Sequence, residues 1–325
     1  MSTSQRNTGS PGKAEQILRR LEWTVIRRLD GMLHGDYRTL FRGTGIDLAD
    51  LREYQYHDDV RHIDWNVTAR MQTPYVREYH EDREVTAWFL LDLSPSIDFG
   101  SETKKRTLST EFITLLARLL TRQGNRVGAL FYGDKVDTVI PARGGRRHVL
   151  SLLHRLLSRP ELQRSEGTDL REFLRTAYQV MRRRSLVFIV SDFFSTPGWA
   201  EPLAHLSQRH EVVAVRLYDP LERELPDMGM LVMQDSETGE QLFVDTHDKT
   251  FRKRFASVAE RRERELRSAL AHAGVDCLEL ATDGKLVDAI MRFADLRKRR
   301  SRLAGGGSLP HAARGVLPDH LEKVA

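Results

Sequence analysis

The chain is poor in the residues that staple or anchor a protein. A single cysteine, Cys277, occurs in 325 residues, which excludes an internal disulfide and a cysteine-based zinc site. It lies in the apolar run VDCLEL and reads as a core thiol. There is no run of about 18 apolar residues, the length that spans a bilayer, and the opening MSTSQRNTGSPGK lacks the apolar centre of a secretory signal. The expectation is a protein of the cytoplasm with no membrane span. Also missing are the phosphate loop GxxxxGK, the dinucleotide turn GxGxxG after a strand, the nucleophile elbow GxSxG and the zinc motif HExxH. Ser94 and Ser96 have no histidine at a recognisable spacing, so a serine hydrolase is not expected.

What is present is a globular composition, 40% hydrophobic and 30% charged. The net charge of +5 is a mild excess, concentrated in RGGRR at 143–147, RRR at 182–184 and RKRR at 297–300. No aromatic-rich or helix-turn-helix pattern accompanies these clusters, so nucleic-acid binding stands as an alternative and not as the first reading.

Residues 1–15 have no hydrophobic period and read as a disordered lead-in. An amphipathic helix is predicted from Ala14 to about Leu33, on the spacing of Ile17, Leu18, Leu21, Val25 and Leu29. It opens an N-terminal extension over 16–83 whose remainder is dense in charge. From 84 to 300, apolar strands alternate with amphipathic helices, and 301–325 reads as a flexible tail. Strands apolar throughout require cover on both faces, which predicts an α/β domain with a doubly wound, mostly parallel sheet of Rossmann type. A hairpin-like pair, MLVMQD and EQLFVD, bends around SETGE inside this series.

Ligands of such sheets bind at the carboxyl ends of the strands. Three predicted strands end in carboxylates there: Asp92, the pair Ser191-Asp192, and Asp219. A buried carboxylate is costly unless a positive charge or several donors meet it, and a metal ion is one solution. Asp92, Ser94 and Ser96 in DLSPS, Asp192, and Thr168 in SEGTDL offer oxygen donors that suit magnesium or manganese. Each also has a plainer reading, as a turn, a helix cap or a cap of the following segment. Asp219 reads as a turn residue before Pro220.

The order of DxSxS after the first strand, Gly-Thr before a mid-domain helix and Asp closing a later strand resembles the metal-ion-dependent adhesion site of von Willebrand factor A domains. The segment GIDLADLREYQYHDDVRHIDWNVTAR at 45–70 and DPLERELP at 219–226 resemble one bacterial branch, the domain-of-unknown-function 58 family. The resemblance covers roughly 35–300, with His57 where many relatives have glycine. It implies that Asp92, Ser94, Ser96, Thr168 and Asp192 hold Mg or Mn, and that the domain is a non-enzymatic adaptor. An acidic residue of a partner protein would complete the metal's ligands, beside a MoxR-type AAA+ ATPase and a client protein. A metal-dependent hydrolase or phosphatase is the rival, although such sites usually supply more carboxylates. HDDVRHIDW also packs His57 and His62 among its acids, but the histidines lack the i, i+4 spacing of a helical zinc motif, so a network of Arg61 with Asp58, Asp59 and Asp64 is expected in preference to a second metal site. Trp65 would be the apolar anchor clamping the extension onto the α/β domain.

Overall fold

The computed structural model describes residues 12–22, 51–55, 60, 63, 65–77, 85–162, 167–235 and 237–304. Helix α1 (Lys13–Leu21) buries Leu18 and Leu21 and carries Glu15, which pairs with Arg146 at 3.0 Å. Lys13, Ala14 and Glu15 are therefore helical, not part of a lead-in; the continuation towards Leu33 lies outside the described residues. So do His57, Asp58, Asp59, Arg61, His62 and Asp64. Short strands β1 (Leu51–Glu53) and β2 (Tyr75–Arg77) pair antiparallel, with α2 (Trp65–Met71) between them. Trp65 is 69% exposed, so it does not serve as the expected apolar anchor. An aromatic ring in a charged segment anchors only if a cavity receives it.

The main sheet has six strands: β3 (Thr86–Asp92), β4 (Arg126–Tyr132), β5 (Val136–Arg143), β6 (Leu186–Ser191), β7 (Glu211–Tyr218) and β10 (Asp276–Ala281). Their order is β10-β7-β6-β3-β4-β5. All neighbours run parallel except β4 and β5, which a tight turn at 133–135 forces to be antiparallel. Alternation along β3 feeds two cores: Phe89 and Leu91 point to one, Trp88 and Leu90 to the other. Phe89 stacks on Phe188 with ring centroids 5.4 Å apart. Gly128 permits Trp88 to lie flat on β4, because a Cβ there would come within 2.8 Å of the indole. Each buried Leu or Phe contributes about 1.5–3 kcal/mol, which explains why the apolar runs settle in the middle of the sheet.

Helices α3 (Lys105–Arg122), α4 (Arg146–Leu157) and α8 (Leu286–Ala304) cover the Phe89 face. Helices α5 (Leu170–Val180), α6 (Ala200–Arg209) and α7 (Lys249–His272) cover the Trp88 face. The fold is thus a doubly wound α/β domain with a mostly parallel sheet. The predicted hairpin is present as β8 (Met230–Gln234) and β9 (Gln241–Asp245), a separate two-stranded sheet.

No helix among the described residues is long and apolar enough to cross a membrane. The RKRR cluster is partly consumed by ion pairs: Arg297 meets Glu211 and Asp276, and Arg300 meets Asp276. Cys277 is half-buried and packs against the Trp88-side core, where burial pushes its thiol up to about 12.

Candidate functional site

Strand order reverses between β3 and β6, because the chain leaves β3 towards β4 on one side and later returns to build β6 and β7 on the other. The crevice at their carboxyl ends is where such sheets hold ligands. Asp92 closes β3 and is completely buried. Its Oδ2 accepts the Ser191 hydroxyl at 2.6 Å, and its Oδ1 accepts the Ser94 amide at 3.0 Å. Burial, with the Asp192 carboxylate adding repulsion, pushes the Asp92 pKa up to about 7. No cation pairs with Asp92 among the described residues. The carboxylate is therefore poorly compensated as the chain stands.

The bend after Asp92 enters a 3-10 turn, Pro95–Asp98, with Ser94 at its N-cap position. The Ser94 side chain makes no cap bond; its Oγ lies 3.1 Å from the Ser96 Oγ, and both residues are buried. The helix-capping reading of DLSPS therefore does not hold for either hydroxyl. The same is true of Thr168. The cap of α5 is Asp169, whose carboxylate accepts the amides of Arg171 and Glu172.

The loop carrying Thr168 turns in through Gly167, at φ 103°, a left-handed conformation that glycine adopts without strain. It is sewn to the crevice: the Asp169 amide donates to the Tyr132 hydroxyl at 2.9 Å, and the Ser195 hydroxyl donates to the Thr168 carbonyl at 2.9 Å. The Thr168 hydroxyl itself donates to Glu237 Oε1 at 3.1 Å, across 69 residues of sequence.

Asp192 sits just past β6. Its Oδ1 accepts the Phe194 amide at 3.0 Å, the cap of the plainer reading, and its Oδ2 accepts Lys105 Nζ at 2.7 Å. Phe193, between them, has φ 60°, strained for a residue with a side chain. Lys105 is fully buried at the start of α3 and reaches Glu222 Oε1 at 2.6 Å as well. Burial works against its charge, but the carboxylates of Asp192 and Glu222 outweigh it, and its pKa is raised.

Asp219 is also completely buried, and it behaves as the expected turn residue. Its Oδ2 accepts the Ser101 amide and hydroxyl and the Thr282 hydroxyl, and its Oδ1 accepts the Leu221 amide.

The structure thus brings Asp92, Ser94, Ser96 and Asp192 to one crevice, with the Thr168 loop bonded into its wall. Lys105, Glu222 and Glu237 escaped the sequence reading, and Ser191 was placed at its strand end without its bond to Asp92. Glu222 lies in DPLERELP, which was singled out for other reasons, and Lys105 has no local signature that separates it from a solvated lysine. Among the described residues, no group of three or more His, Cys, Asp or Glu gathers as a metal cluster. A cation here would rest on two carboxylates supplemented by hydroxyls, and the donor set fits a hard ion in that form.

The chain is similar to an uncharacterized protein of Mycobacterium tuberculosis, 37% identical over 294 residues, covering 90% of this chain and 92% of that one. Among solved structures it is similar to an aerotolerance-related membrane protein from Bacteroides fragilis, at 13% identity and a TM-score of 0.44, over 66% of this chain and 99% of that one. BatB from Bacteroides thetaiotaomicron aligns at 14% identity and a TM-score of 0.41, over 68% and 100%. With a sequence match over residues 50–265, the chain belongs to the family described as protein of unknown function DUF58.

Proposed function

We propose that the β3–β6 crevice is an adhesion-type site in which Asp92, Ser94, Ser96, Thr168 and Asp192 hold Mg or Mn, directly or through water. The protein acts as a non-enzymatic adaptor whose partner supplies an acidic residue. The observation that carries this reading is Asp92: a fully buried carboxylate beside Asp192, pushed up to about 7, with two buried serine hydroxyls close by that cap no helix. A divalent ion supplies the missing positive charge and an open coordination position for a carboxylate.

The chain's own residues prepare the site. Ser191 and the Ser94 amide orient the Asp92 oxygens, and Lys105 takes one oxygen of Asp192 and so fixes its plane. Two carboxylates are few for a two-metal hydrolase, which favours the adaptor over the hydrolase. The resemblance to the bacterial branch implies a MoxR-type AAA+ ATPase as one partner. Thermal unfolding across Mg2+ and Mn2+ titrations tests the site: Tm of the wild type rises as the ion passes its dissociation constant, and Asp92→Asn stays flat. Equal rises in both chains would sink it. So would a flat wild type that also captures no more ATPase with metal than with chelator.

A further inference from the structure

The hairpin β8–β9 is built like an arm. Its base is clamped where the Thr246 amide and hydroxyl both donate to the Gly229 carbonyl and the Met228 amide donates to Thr246 Oγ1. Its tip is shaped by Asp235, whose Oδ1 accepts the amides of Glu237 and Thr238. Between base and tip it is a sheet of two strands, with Met230, Val232 and Phe243 exposed on its outer face. Such a ribbon has little stability of its own. Yet the tip is tied to the α/β domain, with the Glu237 carboxylate on the Thr168 hydroxyl. Arg262 of α7, whose charge acts on Asp235, lies 5.7 Å over the ring of Phe194, two residues past Asp192. The tip therefore lies over the same crevice.

We propose that Glu237 is an internal stand-in for the partner's carboxylate: it completes the cation site in the isolated chain, and docking exchanges it for an acidic residue of the partner. The inference rests on the cation site proposed above. It assigns the ligand position, which the sequence motif left to an external protein, to this chain's own hairpin. A carboxylate at Thr168 has the hardness and charge that a magnesium-type ion selects. Docking then requires the tip to lift, and the affinity of a partner is reduced by the fraction of chains whose tip is closed.

Calorimetric Mn2+ binding to the full chain tests this, with water-proton relaxation reporting how many waters the bound ion keeps. Glu237→Gln retains an acceptor for Thr168 but lacks the charge. It is expected to bind Mn2+ roughly 10-fold more weakly, with higher relaxivity because water fills the vacated position. Asp92→Asn, verified as folded by its melting curve, is expected not to bind. If Glu237→Gln matches the wild type in both readouts while Asp92→Asn fails to bind, the cation site stands and the role of Glu237 falls. If Asp92→Asn binds like the wild type, both fall. A wild type that takes up no Mn2+ at millimolar concentration overturns the inference alone, since a chain that supplies its own last ligand needs no partner to hold the ion.

Discussion

Strand β3 ends in an aspartate with no exposed surface and β7 is followed directly by another, and the two carboxylates are driven in opposite directions. At β7, burial opposes the charge of Asp219, but the Thr282, Ser101 and Leu221 donors outweigh it and hold its pKa below the usual range. At β3, Asp92 has the Ser191 and Ser94 donors and faces Asp192, so burial wins and the pKa climbs to about 7. Asp192, at the end of β6 between them, is served by the buried ammonium of Lys105. Asp92 is enclosed more deeply than Asp219 and has fewer donors, and the two together separate a group that holds loops together from one left without a compensating charge.

The largest expected effect comes from removing the cation of the middle case. Lys105→Met leaves Asp192 and Glu222 buried without their partner, and denaturant unfolding should report a loss of about 3–5 kcal/mol. That places Asp192 in the same predicament as Asp92 and extends the difference from one strand end to two. Asp219→Asn comes next. Asparagine keeps a single acceptor oxygen, so its NH2 must face either the Leu221 amide or the Ser101 and Thr282 donors, and a loss of about 2 kcal/mol is expected. Asp92→Asn at pH 7 with chelator should lose nothing and melt at or above the wild type. An equal loss at both positions would erase the contrast.

The most discriminating effect is the pH dependence of Asp92 without metal. Its folded pKa lies above the unfolded value of 3.8, so the folded chain holds a proton that the unfolded chain has released. The contribution is complete below about pH 4 and is lost as pH rises through about 7. Wild-type stability measured relative to Asp92→Asn should therefore fall over that window, by about 4 kcal/mol. A flat difference would mean that Asp92 is compensated after all.

The sheet was legible in the sequence because strands buried on both faces are written as unbroken apolar runs such as TAWFLLD and LVFIVS. Asp92, Ser94, Ser96 and Asp192 were legible because a strand end fixes where a side chain goes. Thr168 was found differently, from its place after Gly167 at the start of a helix, a position that does not reveal its bond to a glutamate. Lys105 was not legible, since a lysine at the start of a helix reads as solvated until a carboxylate from β6 and another from the turn after β7 close over it. Glu237 was hidden for a different reason: its place depends on a hairpin folding back across 69 residues. Trp65 was misread because aromaticity alone does not say which rings find cover.

From Ala87 to Leu91, β3 is hydrogen-bonded in register to β4 on one side and to β6 on the other. Its amides can exchange with solvent only when the centre of the sheet opens, whereas those of β8–β9 need only a two-stranded ribbon to part. An ion seated on Asp92 should therefore slow the slowest-exchanging protons of the molecule, while lifting of Glu237 should show in the fast ones. The two sides of one crevice keep separate clocks.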